Sequence, residues 1–281
     1  MATATDYFKK RVAIVTGGAS GIGKALCEEL GRKGVTVIVA DVNGNGAKEV
    51  ASGISQTDGR AYAAKLDVSQ AREIENLIDK TVAENGQIDY MFNNAGISIC
   101  GELRDIELEH WLHVFNINLW GVIYGTTAAY RVMVKQGFGH IVNTASLGGL
   151  MPEPMATPYV TTKYGVVGLS MALRLEAAEL GVKVSVACPG MVKTRVLESA
   201  IYIGVKPEEA IAEMSVLKTT DARKCAQKII RGVEQNRAII TDSALSQIFW
   251  WLYRINPAIL NPFLRKGMSD MRALRIQQRN L

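Results

Sequence analysis

The feature that most constrains the fold of this chain is a regular alternation of short apolar runs with longer helical patterns. Seven runs rich in β-branched residues predict strands over residues 11–16, 35–40, 61–67, 89–94, 140–145, 182–188 and 238–241. Most are continuously apolar, as are the strands of a parallel sheet that helices cover on both faces. The patterns between them predict helices over residues 21–33, 44–54, 70–85, 107–136, 157–180 and 221–235. This alternation predicts an α/β fold with a doubly wound parallel sheet of about seven strands and right-handed crossovers.

Nothing in the sequence divides the chain into separate folding units. It has 281 residues, 48% of them hydrophobic, and contains no Pro/Gly/Ser-rich linker. We therefore expect one domain over residues 1–243 and a C-terminal extension over residues 244–281. The first residues, MATATDYFKKRVAIVT, lack the apolar core of a secretion signal, and no apolar run of about eighteen residues occurs. The expected location is the cytoplasm.

Charge and metal-ligating residues argue against two classes of function. The formal net charge is +5, but most of it lies within residues 265–281, where five basic residues face only Asp270. The body of the chain is nearly neutral, which argues against nucleic-acid binding and leaves a solvated basic tail as the default. The four cysteines form no C-x-x-C pair, and Glu107, His110 and His113 fit a solvated or partly packed helix face, so neither a disulfide nor a metal is predicted. The basic residues of the tail are Arg265, Lys266, Arg272, Arg275 and Arg279.

A glycine-rich turn, TGGASGIG, joins the first predicted strand to the first predicted helix. Glycines allow a tight turn and a close approach of the backbone to a pyrophosphate, and the helix N-terminus offers free N–H groups to phosphate charge. Between a buried strand and a helix, at the start of a β-α repeat, such a turn predicts a dinucleotide-binding site. Its residues are Thr16, Gly17, Ser20, Gly21, Ile22 and Gly23.

The second predicted strand ends at Asp41, within VIVADVNG. A carboxylate at that edge accepts hydrogen bonds from the adenosine ribose hydroxyls and repels a 2′-phosphate. No arginine follows at Val42 or Asn43, and residue 18 is glycine. The sequence therefore favours NAD over NADP, and a role for Asp41 as a turn former before Asn43 and Gly44 is the alternative.

A tyrosine and a lysine four residues apart occur twice, as Tyr159 with Lys163 and as Tyr202 with Lys206. On a helix such a pair shares one face, so the ammonium can favour the phenolate and lower the pKa of the tyrosine. Ser146 ends the fifth predicted strand thirteen residues before Tyr159, whereas the residue at the same offset from Tyr202 is a proline without a hydroxyl. Only the first pair therefore has a hydroxyl partner for acid–base chemistry.

Seven motifs in this order resemble those of the short-chain dehydrogenase/reductase family, from about residue 11 to residue 242. The resemblance implies a Rossmann-type fold and an NAD(P)-dependent oxidoreductase. It also implies a homo-oligomer, a dimer or tetramer, commonly assembled through the two long helices predicted at residues 107–136 and 157–180. The motifs are Thr16-Gly17-x-x-x-Gly21-x-Gly23, Asp67-Val68, Asn93-Asn94-Ala95-Gly96, Asn118-Leu119-x-Gly121, Ser146, Tyr159-x-x-x-Lys163 and Pro189-Gly190-x-Val192-x-Thr194.

The same resemblance implies a catalytic tetrad of Asn118, Ser146, Tyr159 and Lys163, with Tyr159 as general acid/base. Lys163 would also hold the nicotinamide ribose, Ser146 would orient the substrate oxygen, and Asn118 with a local helix irregularity would hold a water. By composition alone Asn116 rivals Asn118, and the Asn-Leu-x-Gly match selects the latter. The residues implied at the cofactor are Asp67 and Val68 around the adenine, Asn94, Ala95 and Gly96 along its wall, and Pro189, Gly190, Val192 and Thr194 towards the carboxamide, with a helix N-cap as the alternative for Thr194.

We therefore expect hydride transfer between NAD(H) and a secondary alcohol or ketone. The loops at residues 97–102, 147–157 and 191–215 supply mostly apolar side chains, which favours a hydrophobic substrate of the steroid-like, terpenoid or fatty kind. Ordinary packing of those side chains is the alternative. Other functions left open are reduction of a 3-oxoacyl thioester and a non-catalytic NAD-binding sensor or scaffold. The apolar loop residues are Ile97, Ile99, Leu150, Met151, Met155, Met191, Leu197 and Ile201.

The extension after residue 243 carries two tryptophans and several helix-breaking residues, so it is too interrupted to cross a bilayer. Leu245, Ile248, Leu252 and Ile255 recur at helical spacing. The leading expectation is that the segment packs against the body or against another subunit. A cap over the pocket and peripheral membrane contact are the alternatives.

Overall fold

A seven-stranded parallel sheet forms the centre of the computed structural model, which describes residues 7–57, 59–194, 196–215 and 219–275. The sheet order is β11-β7-β6-β4-β1-β2-β3, and every neighbouring pair is parallel. The four remaining strands form two small parallel pairs, β5 with β9 and β8 with β10. The strands are β1 (Val12–Thr16), β2 (Thr36–Asp41), β3 (Arg60–Lys65), β4 (Tyr90–Asn93), β5 (Ile99–Gly101), β6 (Gly139–Thr144), β7 (Val182–Cys188), β8 (Val192–Lys193), β9 (Ile201–Ile203), β10 (Thr220–Asp221) and β11 (Ile239–Thr241).

Helices cover both faces of this sheet. One core cluster joins α1, α2 and α8 to one face, and a second joins α3, α5 and α6 to the other. The doubly wound, Rossmann-type α/β fold predicted from the sequence is therefore confirmed. The helices are α1 (Gly21–Arg32), α2 (Gly44–Ser55), α3 (Ala71–Asn85), α4 (Leu108–Phe115), α5 (Gly121–Gln136), α6 (Thr157–Ala177), α7 (Pro207–Ser215), α8 (Ala222–Glu234), α9 (Ala244–Ile255) and α10 (Asn261–Ala273).

The strand order reverses between β1 and β4, which are neighbours in the sheet. From β1 the chain proceeds outward to β2 and β3, and from β4 it proceeds the other way to β6, β7 and β11. Crossovers leaving in opposite directions open a crevice at the carboxyl ends of these two strands, where doubly wound sheets bind ligands.

Two predicted elements differ from those observed. The helix predicted over residues 107–136 is interrupted by a π-helical turn, Asn116–Trp120, between α4 and α5. The strand predicted over residues 61–67 is β3, an edge strand whose side chains are exposed or only half-buried. It lacks the two-sided burial of the central strands because only β2 pairs with it.

The C-terminal extension folds back onto the same chain as α9 and α10. Asp242 Oδ1 accepts hydrogen bonds from Gly190 N at 2.8 Å and Ser246 Oγ at 2.8 Å, which fixes the start of α9 beside the end of β7. Met271 of α10 is buried in a small cluster with Cys100 and Met155. The extension is thus anchored at the carboxyl edge of the sheet, next to the segments that follow β4 and β6.

The apolar stripe predicted on α9 is not its buried face, because Leu245, Ile248 and Ile255 are 47%, 53% and 73% exposed. Trp250 packs against the core instead. The predicted basic tail is also not simply solvated: Arg272 pairs with Glu102 at 2.7 Å, and Arg275 forms a two-bonded ion pair with Asp105. Residues 1–6 and 276–281, including Arg279, lie outside the described residues. Within the described part, no helix is both long and apolar enough to span a bilayer.

Candidate active site

The glycine-rich turn lies at the crevice between β1 and β4. Thr16, the last residue of β1, receives hydrogen bonds at its Oγ1 from Asn94 N at 3.0 Å and Ala95 N at 3.1 Å. Asn94 Nδ2 donates to Thr16 O at 3.1 Å. These bonds tie the turn after β1 to the turn after β4, so the predicted residues Thr16, Asn94 and Ala95 meet at one edge.

The glycines of this turn are required by its close packing. Gly17 and Gly21 have φ angles of 67° and 53°, in the left-handed region that favours glycine. A Cβ at Gly17 would lie 2.8 Å from Ala95 Cα, and one at Gly23 would overlap Gly17 O. A Cβ at Gly21 would lie 3.3 Å from Thr194 Cβ, so the turn also borders the loop after β7.

The first turn of α1 is open to an anion. The Ser20 side chain makes no capping hydrogen bond to it, and no acidic residue lies within it. The first N–H groups of a helix need an acceptor, and the dipole there favours negative charge. Together with the glycine cradle, this arrangement fits the pyrophosphate of a dinucleotide.

Asp41 ends β2 beside the same turn. Its Oδ2 accepts a hydrogen bond from Ala19 N at 3.0 Å, and its Oδ1 accepts one from Asn43 N at 2.8 Å. Asp41 is therefore a turn former, as the alternative interpretation supposed. Each oxygen still has accepting capacity for a ribose hydroxyl. A cavity of about 360 Å³ beyond it is lined by residues 42–45, Ala63 and two lysines, Lys48 and Lys65.

The four tetrad residues converge at the carboxyl ends of β4 and β6. Lys163 is buried, its Nζ donates to Thr144 O at 3.0 Å, and this Nζ lies 5.5 Å from the centroid of the Tyr159 ring. Ser146 interacts with the Tyr159 phenol, and this interaction taken by itself lowers the pKa of the phenol. A Cβ built on Gly96 would lie 3.1 Å from Asn118 Oδ1 and 3.5 Å from Lys163 Nζ, so these groups border one space.

Asn118 sits in the π-helical turn and holds the segment after β4. Ile97 N donates to Asn118 Oδ1 at 2.8 Å, and Asn118 Nδ2 donates to Ile97 O at 2.9 Å. The side chain is fully buried, whereas the rival Asn116 is exposed. The inward-facing Asn118 thus lies in a π-turn, a rare helix irregularity that is frequent at functional sites.

Burial dominates the titration of the acid–base pair. Desolvation raises the pKa of Tyr159, the negative charge of Glu153 raises it further, and the interaction with Ser146 opposes both. Desolvation also lowers the pKa of Lys163 to about 8. The pKa of the phenol therefore lies above its ordinary value, because burial, which the sequence cannot show, outweighs the interaction with Ser146. The lowering of that pKa by Lys163 stays a prediction.

The other predicted cofactor residues follow the carboxyl ends of β3 and β7 in the chain. Asp67 Oδ1 accepts from Ser69 N at 2.9 Å, and Val68 packs on Gly121 of α5, where a Cβ would lie 3.0 Å from Val68 Cβ. Pro189 O accepts from Leu147 N at 2.7 Å, which joins the end of β7 to the loop that carries Ser146. The remaining members are Gly190, held by Asp242; Val192, buried in β8; and Thr194, whose Oγ1 accepts from Val196 N at 3.3 Å.

The second tyrosine–lysine pair has other partners. Tyr202 lies in β9 rather than on a helix, and its hydroxyl donates to Leu197 O at 2.7 Å. Lys206 pairs with Glu209 at 2.8 Å on the surface. The pair that the sequence rejected is therefore not an acid–base pair.

The rejected metal constellation on α4 closes a helix turn instead. His110 Nδ1 accepts a hydrogen bond from Glu107 N at 3.1 Å. Among the described residues, no group of three or more His, Cys, Asp or Glu side chains is arranged to hold a metal.

Tyr159 packs against a small buried apolar cluster, and Ile97, Trp111 and Ile201 pack against the same cluster. The buried members of the cluster are Ile99, Ile106 and Val114. Four of the predicted apolar loop residues are buried, so they serve ordinary packing, which was the alternative to substrate contact. These four are Ile99, Leu150, Met151 and Met155. The four that remain partly exposed, and so can meet a ligand, are Ile97, Met191, Leu197 and Ile201.

Two residues near the reacting groups escaped the sequence analysis. The Cys188 thiol, at the end of β7, faces Lys163, which lowers the pKa of that thiol although burial raises it to about 12 overall. Glu153 faces Tyr159 from the loop before α6. For Glu153 the available signal was a carboxylate between two prolines, Pro152 and Pro154, in an otherwise apolar loop.

Comparisons with known proteins agree with this geometry. A family model described as short chain dehydrogenase matches residues 11–201. Cyclohexanol dehydrogenase from Acinetobacter sp. (strain SE19) is 33% identical over 231 residues, which cover 78% of this chain and 91% of that protein.

Two solved structures share the fold. A short chain dehydrogenase/reductase from Burkholderia phymatum in complex with NAD has a TM-score of 0.78 at 24% identity, covering 98% of both chains. The 3-ketoacyl-(acyl-carrier-protein) reductase from Brucella melitensis complexed with NADH has a TM-score of 0.72 at 24% identity, covering 84% of this chain and 95% of that one.

Proposed function

Because the chain is an oxidoreductase that belongs to the short chain dehydrogenase family, we propose that it transfers a hydride between NAD(H) and a secondary alcohol or ketone. The observation that carries the proposal is the meeting of Tyr159, Lys163 and Ser146 beside a glycine cradle at the switch point of the sheet. A hydroxyl, a phenol and an ammonium at one point can bind and exchange the proton of a carbinol.

In the oxidation direction, the bound nicotinamide supplies the hydride acceptor. The Ser146 hydroxyl holds the substrate oxygen, and Tyr159 Oη removes its proton. Lys163 contributes a positive charge 5.5 Å from the phenol ring, which favours the phenolate that this step requires. In the reduction direction Tyr159 returns the proton to the carbonyl oxygen.

The preferred cofactor in this proposal is NAD. Asp41 Oδ1 and Oδ2 each hold one backbone N–H group and remain able to accept from ribose hydroxyls. A 2′-phosphate would meet the carboxylate charge, although Lys48 and Lys65 beside the neighbouring cavity would attract it. The variant Asp41→Asn tests whether the carboxylate or the lysines decide the preference for NAD or NADP.

The substrate in this proposal is hydrophobic, because Ile97, Trp111 and Ile201 belong to the same apolar cluster as Tyr159 and are partly exposed. Cyclohexanol, the substrate named for the Acinetobacter relative, is a suitable first probe for this chain. A panel that also holds a 3-oxoacyl thioester distinguishes an alcohol dehydrogenase from a thioester reductase. Turnover of small polar alcohols alone would contradict the hydrophobic assignment.

The mechanism is tested by Tyr159→Phe, which removes only the phenolic oxygen. We expect kcat/KM for alcohol oxidation, followed by NADH absorbance, to fall about 100- to 10,000-fold, the range of a positioned general acid/base. Tyr202→Phe is the matched control, because it removes a phenol from the other Tyr-x-x-x-Lys pair and should leave kcat/KM within a few-fold. Full activity in Tyr159→Phe would overturn the mechanism, and NAD binding without any turnover in the wild type would favour the sensor.

We also infer a homo-oligomer. Leu112 on α4 and Leu175 on α6 are 64% and 80% exposed, and Trp120 between α4 and α5 is partly exposed as well. Large exposed apolar side chains on adjacent helices are typical of an interface between subunits.

A further inference from the structure

Glu153 is held in place by the loop that carries it. Proline on either side fixes φ at residues 152 and 154, and the residue before a proline is confined to extended conformations. Met155 follows with φ of 60°, in the left-handed region, and Gly101 N donates to Met155 O at 2.7 Å. Strained backbone of this kind persists only where the surroundings enforce it, and the burial of Met155 and its bond to β5 do so here.

The Glu153 carboxylate borders the reacting groups. A Cβ built on Gly148 would lie 2.8 Å from Glu153 Oε2 and 3.6 Å from Ser146 Oγ, so both oxygens flank the same space. Burial raises the pKa of the Tyr159 phenol and of the Cys100 thiol, and the charge of Glu153 raises both further, so the carboxylate lies near each of them.

No group in the part of the chain that the structure describes pairs with this carboxylate. Glu153 receives no hydrogen bond and no ion pair from any side chain or backbone group within residues 7–57, 59–194, 196–215 and 219–275. It stays accessible to water at the cleft, yet the surrounding walls raise the pKa of its carboxyl by desolvation. A carboxylate that is open to the cleft and has no partner among these residues can accept a hydrogen bond from a bound ligand.

We propose that Glu153 is a specificity-determining residue whose carboxylate accepts a hydrogen bond from a second donor, a hydroxyl or an ammonium group, on the substrate. This inference rests on the proposed hydride transfer and narrows its substrate class. The reacting oxygen lies at Ser146 and Tyr159, and Ser146 Oγ and Glu153 Oε2 border one space, so a second donor close to the reacting carbon can reach the carboxylate. Ile97, Trp111 and Ile201, which belong to the same apolar cluster as Tyr159, receive the remainder of the molecule. The substrate is thus a vicinal or 1,3-related diol or amino alcohol on an apolar framework.

The test compares kcat/KM for cyclohexanol, cyclohexane-1,2-diol and 2-aminocyclohexanol. We expect the wild type to prefer each of the two bifunctional alcohols over cyclohexanol by about 10- to 100-fold, the range of one charge-assisted hydrogen bond. In Glu153→Leu both preferences should fall to within about 3-fold of unity while cyclohexanol oxidation is retained. In Glu153→Gln, whose amide oxygen still accepts, the diol should keep part of its preference and the amino alcohol should lose it. Glu84→Gln, on the surface of α3, is the control and should change neither ratio.

A second readout separates recognition from a merely structural role. Since the charge of Glu153 raises the pKa of Tyr159, Glu153→Gln should move the acidic limb of kcat for cyclohexanol oxidation to lower pH. The other groups that face the phenol, Ser146, Cys188 and Lys163, are unchanged in this variant. A structural residue would lower the melting temperature without moving that limb.

The outcomes distinguish the two claims. If Tyr159→Phe abolishes cyclohexanol oxidation, the proposed function stands. If the substrate ratios are at the same time unchanged in Glu153→Leu, the role of Glu153 is overturned. No oxidation of any of the three alcohols by the wild type would overturn both.

Discussion

At the scale of single residues, Asp41 carries the choice between the two nicotinamide cofactors. In Asp41→Asn the amide oxygen can still accept a backbone N–H, but the charge that repels a 2′-phosphate is gone, and Lys48 and Lys65 remain. We expect the ratio of kcat/KM for NAD to that for NADP to fall about 10- to 100-fold, which is about 1.4–2.8 kcal/mol. Asp79→Asn, on the exposed side of α3, should leave the ratio unchanged. A wild type that uses NADP as well as NAD would contradict the assignment at once.

Individual residues also show what a sequence can and cannot reveal. Tyr159 was separable from Tyr202 because the serine partner stands at a fixed offset along the chain, and Asn118 from Asn116 through a local motif. Glu153 was missed because a lone carboxylate in a loop belongs to no periodic pattern. The raised pKa of Tyr159 was also hidden, since desolvation depends on side chains that arrive from several distant segments.

At the scale of elements, His140 makes β6 sensitive to acid. The ring is buried, its Nε2 lies 2.9 Å from Ser185 Oγ, and its Nδ1 has no hydrogen-bond partner among the described residues. Desolvation, with Lys183 and Arg174 nearby, lowers the pKa of His140 to about 3. Above the ordinary pKa of histidine, the His140 ring is neutral in both the folded and the unfolded state. As the pH falls below it, only the unfolded chain takes up the proton, so stability is lost progressively down to about pH 3.

This gives a prediction for the free energy of unfolding. Between pH 7 and pH 5 the wild type should lose about 2 kcal/mol through His140. His140→Phe fills the site beside Tyr90 with an apolar ring and should lose about 2 kcal/mol less over the same interval, measured by urea titrations. His113→Gln, exposed on α4, is the control and should behave as the wild type. Equal losses in His140→Phe and wild type would show that the ring is protonated in the folded state.

Elements were predictable from sequence where periodicity is long. The seven strands of the main sheet and the helices that flank them all appear near their predicted positions, with ends shifted by a few residues. The pairs β5–β9 and β8–β10 were not predicted, because strands of two or three residues carry no measurable pattern. The π-turn Asn116–Trp120 lies where the resemblance implies a helix irregularity, at Asn118, whereas helical periodicity alone predicts one uninterrupted helix over residues 107–136.

At the scale of the whole molecule, the extension after residue 243 packs against the segments that follow β5 and β6. Arg272 and Arg275 of the C-terminal end pair with Glu102 and Asp105 in the segment that follows β5. Met271 reaches the cluster that also holds Met155, the strained residue next to the Glu153 loop. Helical spacing predicts a helix here. Which face of that helix is buried depends on partners that lie far away in the sequence, and the spacing of apolar residues does not identify those partners.

The assembly of several copies is the last prediction. In a symmetric interface each substitution occurs once in every subunit, so a single charge placed there is felt at least twice. We expect Leu112→Arg or Leu175→Arg to reduce the solution mass from two or four chains to one, measured by light scattering on the eluting full-length protein. Tyr62→Arg places the same charge at another exposed apolar position, on the edge strand β3, and should leave the mass unchanged. A wild type that elutes as a single chain, or an unaltered mass in both leucine variants, would show that the exposed faces of α4 and α6 do not hold subunits together.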